Sequence, residues 1–293
     1  FARVLRLEQP SVNTQSADMP RVAHTNVAST IWEGAGGEGE VAWRDGVRLG
    51  ARLRVCSHAS SARATAPGTC GVYAITGGLG GLGLRAAAML DTGGAVGMVL
   101  ASRSGRVGRD VPQLSWPRGA AVFVVPSDVS DASDASCMFR LGAPAGVLHA
   151  AGVLYDKMIR SMAADAMDGS LTPKAVAAWH VSNALTHAPL EAYGVFSSIT
   201  STLGNVGQAN YAASNAYLDA LALARRVRGT LGSSLQIPAV SGAGMGASTF
   251  DREQLDAVGA CSLDEFAACL SLSLAAGRAA AERTQVPFPR QAT

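Results

Sequence analysis

The fold is decided by residues 72–83, whose sequence is VYAITGGLGGLG. The apolar run Val72–Ile75 predicts a β-strand, and residues 84–90 (LRAAAML) predict a helix because they are mostly strong helix formers. The pattern Gly78-x-Gly80-x-x-Gly83 lies between the two. Glycines there allow a tight turn and a close backbone approach to a pyrophosphate, and the helix N-terminus supplies amide donors and partial positive charge. The stretch therefore predicts a dinucleotide-binding turn.

Strands and helices are predicted to alternate along the rest of the chain. Further strands are expected at Val96–Ala101, Ala121–Val125, Gly146–Leu148, Val195–Phe196 and Ser234–Ile237, and helices at Ala132–Leu141, Pro173–Thr186, Ala209–Arg228 and Leu263–Ala276. Alternation of this kind predicts an α/β fold, a Rossmann-like doubly wound parallel sheet with helices on both faces. Residues 104–120 contain Pro112 and Pro117, so the crossover helix there is expected to be short or absent.

The residues after the second predicted strand indicate which dinucleotide binds. A carboxylate at this point binds the ribose 2′-hydroxyl of NAD. This chain has Ser102 and Arg103 instead, a hydroxyl donor beside a guanidinium. Arginine offers charge-assisted donors that suit a phosphate. We therefore expect NADPH, although an arginine on a solvated loop is the alternative interpretation.

Composition excludes several other classes of function. The net charge is +2 over 293 residues, so no concentrated basic face for nucleic acid or a membrane surface is expected. No apolar run reaches the ~20 residues that span a bilayer. The five cysteines show no paired spacing, and the five histidines join no metal-binding cluster, so neither disulfides nor a metal are expected.

Four polar residues form a candidate catalytic set. Tyr211 and Asn215 lie one turn apart on a predicted helix, Ser198 ends the fifth predicted strand, and Lys174 lies on the helix before it. Taken singly, each side chain is explained as a packed or solvated residue. Together, behind a dinucleotide-binding turn, they form a set whose interpretation depends on the resemblance described next.

The same stretches resemble the ketoreductase domains of modular (type I) polyketide synthases and related fatty-acid synthases, in the short-chain dehydrogenase/reductase superfamily. Ordinary members of that superfamily carry YxxxK with an upstream asparagine. Here, as in those ketoreductases, the two are exchanged, giving YxxxN with Lys174 upstream. The matching stretches are TGGLGGLG (76–83), ASRSG (101–105), SDVSD (127–131), HAAGVLYD (149–156), TPK (172–174), FSS (196–198) and GQANYAASNAYLDALA (207–222).

The resemblance implies an NADPH-dependent reduction of a carrier-bound β-ketoacyl thioester. Tyr211 would donate the proton, Lys174 would lower the pKa of Tyr211, Ser198 would orient the substrate oxygen, and Asn215 would hold a water that passes protons to Lys174. The implied partners are an acyl carrier protein domain and neighbouring synthase domains. The predicted cofactor-binding residues are Thr76, Gly78, Leu79, Gly80, Gly81, Leu82, Gly83, Ser102, Arg103, Asp128, Val129, His149, Ala150, Ala151 and Gly152.

Two of these residues have alternative roles. Asp128 is expected either near the adenine or as a helix N-cap. His149 is expected to pack at a strand end and to do no acid–base work.

Three further residues are assigned to substrate binding and stereocontrol by the resemblance. Asp156 matches the last aspartate of the LDD signature of B-type ketoreductases, with Tyr155 at the middle position, and Leu203 stands where A-type domains carry a tryptophan. Both favour a 3R hydroxyl; a simple capping role for Asp156 is the alternative. Met245 belongs to GAGM (242–245), which resembles the start of the family's lid.

The expected domain organisation has three parts. Residues 1–68 resemble the closing part of a non-catalytic structural subdomain followed by a linker, with two strands over residues 40–55 joined by a turn at Asp45-Gly46. Residues 69–282 are the predicted reductase domain and residues 283–293 a tail. Because the chain starts at Phe1 without a leader, we expect it to begin within a longer protein, and no compartment is predicted beyond a cytoplasmic default.

Residues 237–240 (IPAV) depart from the family's tryptophan-rich run. Two alternatives therefore stay open: a degenerate ketoreductase that serves as a scaffold, and a free-standing ketone reductase.

Overall fold

The computed structural model describes residues 1–19, 38–45, 47–52, 70–107, 116–140, 142–245, 251, 253, 255 and 259–282. Near the start of the chain, helix α1 (Ala2–Glu8) precedes strands β1 (Ser16–Asp18), β2 (Glu40–Arg44) and β3 (Val47–Gly50). β1 pairs with β2 in parallel, and β2 and β3 are antiparallel. Asp45 takes a positive φ of 49° between them, as the predicted turn requires; Gly46 and the predicted linker residues 57–68 lie outside the described residues.

A parallel sheet forms the centre of the region that follows residue 70. Its strands are β4 (Val72–Thr76), β5 (Gly97–Ser102), β6 (Ala121–Pro126), β7 (Gly146–His149), β8 (Ala192–Ser198) and β9 (Ser233–Ile237). Within the described residues their order is β6-β5-β4-β7-β8-β9. From β4 the chain adds β5 and β6 on one side of the sheet, and it then returns to add β7, β8 and β9 on the other side. This reversal opens a crevice at the carboxyl ends of β4 and β7. The Rossmann-like prediction is confirmed.

Helices cover both faces of this sheet. They are α2 (Gly81–Thr92), α3 (Ala132–Cys137), α4 (Ala164–Leu171), a π-helical turn (Thr172–Val176), α5 (Ala177–Ala184), α6 (Thr200–Leu203), α7 (Ala209–Val227) and α8 (Leu263–Glu282). The predicted helix Pro173–Thr186 continues α4 through the π-helical turn, because Pro173 has no N–H for the regular ladder. α3 is shorter than predicted and gives way to turns at 138–140. Residues 103–107 and 116–120, the described parts of the weak crossover, contain no helix.

Two apolar cores lie on opposite faces of the sheet. Side chains alternate along each strand, so Tyr73 and Ile75 face α2 and α8 while Ala74 faces α5 and α7. β8 is buried along its whole length. A third cluster joins Val4 of α1 to Ala209 and Ala212 of α7. None of the helices in the described ranges is long and apolar enough to cross a membrane.

Candidate active site

The glycine-rich turn follows β4 and leads into α2. A Cβ at Gly77, whose φ is +66°, would lie 2.7 Å from the amide nitrogen of Ala151, and a Cβ at Gly83 would lie 2.4 Å from the carbonyl oxygen of Gly77. Both distances are far below van der Waals contact, so the turn can form only with glycine at these positions. The N-cap Gly80 supplies no side-chain acceptor. The first amides of α2 are therefore available to an anion.

A cavity of about 260 Å³ lies in front of this turn, at the crevice where the sheet order reverses. Predicted cofactor-binding residues that line it are Gly80, Gly81, Leu82, Gly83, Ser102, Arg103, Asp128, Val129, Ala150, Ala151 and Gly152. Lining residues that the sequence did not single out for this site are Gly77, Ala101, Ser127, Val153, Pro173, Ala177 and Gly244. Met245, predicted for substrate binding, also lines this cavity.

Four predicted cofactor-binding residues lie behind the cavity lining. Leu79 is buried in the apolar core, and Gly78 donates its N–H to the Ala101 carbonyl at 3.1 Å. Thr76 and His149 are fully buried and hydrogen-bond each other at 2.7 Å. These residues lie behind the turn and outside the cavity lining, and their assignment to cofactor binding stays a prediction.

His149 is held in one tautomer by its partners. Its Nε2 lies 3.0 Å from the Lys174 carbonyl oxygen, which only accepts, so Nε2 carries the proton and Nδ1 accepts from the Thr76 hydroxyl. Burial, with Lys174 nearby, lowers the pKa of His149 to about 3. A neutral, fully paired imidazole agrees with the predicted packing role.

The rim of the cavity carries polar and charged side chains that follow strands β5 and β6. Arg103 is exposed at the end of β5, and the Ser102 hydroxyl accepts from the Gly105 N–H at 3.1 Å, which leaves its own proton to donate. Asp128 also lines the cavity, and its Oδ1 accepts from the Ser130 hydroxyl at 2.6 Å. The N-cap of α3 is Asp131, not Asp128, so the capping alternative for Asp128 is wrong.

The four candidate catalytic residues meet at one end of this crevice. The Lys174 amine donates to the Phe196 carbonyl at 2.8 Å and lies 5.2 Å from the centre of the Tyr211 ring. The Asn215 amide donates to the Tyr211 carbonyl at 2.8 Å. All four are less than 9% exposed. The predicted convergence is therefore present in the structure.

Burial is the largest cause of the pKa shifts of Lys174 and Tyr211. It lowers the pKa of Lys174 to about 7, against an opposing contribution from Asp219. It raises the pKa of Tyr211, while hydrogen bonds with Asn215 and Ser198 act in the other direction. The sequence predicted a lowered pKa for Tyr211; the direction is opposite because desolvation of the phenolate outweighs its favourable contacts.

The predicted substrate residues lie on three separate segments of the chain. The Asp156 carboxylate accepts from the Gln208 side-chain amide at 2.9 Å. The N-cap of the following 3-10 turn (Ile159–Ser161) is Met158, so the capping alternative for Asp156 is wrong. Leu203 ends α6 and is 56% exposed. Residues 243 and 244 approach the glycine-rich turn closely: a Cβ at Gly81 would lie 2.6 Å from that of Ala243. Across the described residues, no cluster of three or more His, Cys, Asp or Glu side chains is arranged to hold a metal ion.

A doubly wound sheet with a glycine-rich turn and a Ser-Tyr-Lys-Asn group defines a nicotinamide-dependent oxidoreductase of the short-chain dehydrogenase/reductase type. The KR domain family matches residues 71–242, more than half of the chain. The chain therefore belongs to the KR domain family, the ketoreductase domains of polyketide synthases.

Several large synthases are similar to this chain. The chain is 34% identical over 229 residues to a 6-methylsalicylic acid synthase of Aspergillus niger, covering 70% of this chain and 13% of the synthase. It is 37% identical over 211 residues to polyketide synthase GfsA of Streptomyces halstedii, covering 69% of this chain and 3% of the synthase. The chain thus spans only a small part of these relatives.

Solved ketoreductases share the fold. An A1-type ketoreductase has a TM-score of 0.83 at 29% identity, and the first ketoreductase of the tylosin polyketide synthase has a TM-score of 0.81 at 30% identity. Each match covers 94% of this chain and 61% of the other.

Proposed function

We propose that this chain reduces a β-ketoacyl thioester, carried by an acyl carrier protein domain, to the β-hydroxyacyl thioester with NADPH. The observation that carries the proposal is the convergence of Lys174, Ser198, Tyr211 and Asn215 at the end of a glycine-lined crevice. The relatives are multidomain polyketide synthases, which supports neighbouring synthase domains as partners. In this proposal residues 1–68 are the end of a structural subdomain, residues 69–282 the reductase domain and residues 283–293 a tail.

Each side chain has a distinct role in this chemistry. A reduced nicotinamide, when bound, supplies a hydride to the β-carbon. Tyr211 donates its phenolic proton to the carbonyl oxygen, and its raised pKa keeps that proton in place at neutral pH. Ser198 hydrogen-bonds the same oxygen and orients it.

Lys174 and Asn215 support the proton donor. The protonated Lys174 favours the phenolate that forms as Tyr211 gives up its proton. Among the described residues, no group hydrogen-bonds to the buried Oδ1 of Asn215. This oxygen is suited to accept from a water that passes protons to Lys174.

The cavity rim supports NADPH as the reductant. Arg103 offers charge-assisted donors to a 2′-phosphate, and no carboxylate follows β5 in the sequence at residues 102–105. The backbone amides at the start of α2 are placed for the pyrophosphate. The lining residues named above form the proposed dinucleotide site.

The proposed product is the 3R alcohol. Asp156 stands at the B-type signature position, and the Gln208 side-chain amide donates to its carboxylate. Leu203 stands where, by the family resemblance, A-type domains carry a tryptophan. Two similar solved structures are A-type ketoreductases, so product configuration is the part of the proposal that needs its own measurement.

The test is turnover of a β-ketoacyl N-acetylcysteamine thioester, followed by loss of reduced-nicotinamide absorbance with NADPH and with NADH. Chiral separation of the product then gives its configuration. We expect turnover with a preference for NADPH and a 3R product. A folded protein that binds NADPH without turning over would favour the scaffold alternative, and a 3S product would overturn the B-type assignment alone.

A further inference from the structure

Helix α1 places a carboxylate between two loops of the reductase region. One oxygen of Glu8 accepts the backbone N–H of Ile159 at 2.7 Å, and the other accepts the backbone N–H of Gly207 at 2.9 Å. Glu8 is 151 residues from the first partner and 199 from the second. A carboxylate accepts at both oxygens and donates at neither, so it suits two facing N–H groups.

The two loops that Glu8 joins are also bonded to each other. We call residues 155–159 the Asp156 loop; it follows β7 and carries the predicted stereocontrol residue. The Lys157 N–H donates to the Gly207 carbonyl at 2.8 Å. The Gln208 side chain donates to Asp156 at 2.9 Å. The loop is therefore docked on the segment that begins α7.

Asn210 extends this connection to the proton donor. Its side-chain amide donates to the Tyr155 carbonyl at 2.8 Å and to the Ala166 carbonyl at 2.7 Å, and its oxygen accepts from the Tyr211 N–H at 2.8 Å. Asn210 is fully buried. A shift of the Asp156 loop relative to α7 would therefore break bonds that end at the Tyr211 backbone.

Apolar packing fixes Glu8 at this position. Val4, one turn earlier on α1, is fully buried against Ala209 and Ala212, with Ile159 and Met162 packed on the same cluster. The Glu8 residue itself is half-buried. α1 lies outside residues 71–242, which match the KR domain family.

We propose that Glu8 is a positioning residue of the reductase: it holds the Asp156 loop against the start of the Tyr211 helix and so sets where the substrate enters. The inference rests on the proposed function for its kinetic consequence, but the bracing itself does not depend on turnover. Glu8 touches neither the reacting atoms nor the proposed cofactor site. Its loss should therefore affect substrate binding and product configuration more than the chemical step.

The test compares Glu8→Gln with Glu40→Gln. Glutamine keeps one carbonyl oxygen for one amide but turns an NH₂ group toward the other, so one of the two bonds becomes a clash of donors. Glu40 is a matched control because it belongs to the same region and pairs with Arg3 and Arg6 of α1. It makes none of the described bonds to the Asp156 loop.

For Glu8→Gln we expect KM for the thioester to rise about tenfold with kcat changed less than about threefold, and the minor enantiomer of the product to increase. NADPH affinity should not change. Glu40→Gln should stay within about twofold of the wild type in both constants. Equal losses in the two variants, or an unchanged KM in Glu8→Gln, would overturn the proposal.

Amide hydrogen exchange gives a readout that does not require activity. In folded Glu8→Gln, exchange at Ile159 and Gly207 should be about tenfold faster than in the wild type, and in Glu40→Gln it should not change. Unchanged protection at both amides would overturn the bracing role. Faster exchange in a protein that shows no turnover would instead preserve the brace and reject the proposed function.

Discussion

Lys174 offers a direct test of the electrostatics of the site, through replacement by methionine. The Lys174 residue is 3% exposed, and burial lowers the pKa of its amine from 10.5 to about 7. Methionine has a similar length and carries no proton. The substitution removes a buried titratable group while keeping most of the packing volume.

The pH dependence follows from the difference in bound protons. Below about pH 7 Lys174 is protonated in both the folded and the unfolded chain, so it does not make the free energy of unfolding depend on pH. Between the folded pKa of about 7 and the unfolded pKa of 10.5, only the unfolded chain holds the proton, so the free energy of unfolding rises with pH. Integrated from about pH 6 to about pH 9, this rise is on the order of 2 to 3 kcal/mol.

The assay is urea unfolding of wild type and Lys174→Met at several pH values over that range. Titrating groups distant from Lys174 cancel in the difference between the two chains, so we expect the free energy of unfolding of the wild type to rise by about 2 to 3 kcal/mol relative to the variant. Lys157→Met, at an exposed lysine, is measured alongside as the control for the loss of one amine. If the free energy of unfolding changed with pH in the same way in wild type and Lys174→Met, the lowered pKa of the buried Lys174 amine would be refuted.

Two further substitutions test the cofactor site. Gly83→Ala places a Cβ 2.4 Å from the Gly77 carbonyl oxygen, so the turn must open and NADPH affinity should fall at least about tenfold in a fluorescence titration; unchanged affinity would show that the turn does not contact the cofactor. Arg103→Ala should weaken NADPH binding about tenfold or more and leave NADH binding within about twofold. Equal losses for both cofactors would remove the 2′-phosphate role of Arg103.

Local sequence predicted most of the central sheet, because its strands are short apolar runs followed by turn residues. β8 was predicted at only two positions, yet it covers Ala192–Ser198. Its small residues favour neither strand nor helix in a local sequence pattern, but the packing requires them. A Cβ at Gly194 would lie 2.9 Å from side-chain atoms of both Leu148 and Leu274. Contacts of that kind come from distant parts of the chain and leave no local pattern.

The candidate site could be predicted from the sequence where its residues belong to a recognisable motif. The glycine-rich turn, Arg103 and the four converging polar residues were all found from spacing and resemblance. Ser127 and Gly244 line the cavity only because their loops fold back to it. The raised pKa of Tyr211 depends on how deeply the ring is buried, and the role inferred for Glu8 depends on two loops that meet only in the folded chain.

The most direct test of the central claim is thioester reduction by Tyr211→Phe beside the wild type. Phenylalanine keeps the ring and removes only the hydroxyl that donates the proton. We expect turnover to fall by about 100-fold or more while NADPH binding is retained, since general acid catalysis contributes on that scale. Wild-type turnover in the folded variant would contradict the assignment of Tyr211 as proton donor, and with it the proposed mechanism.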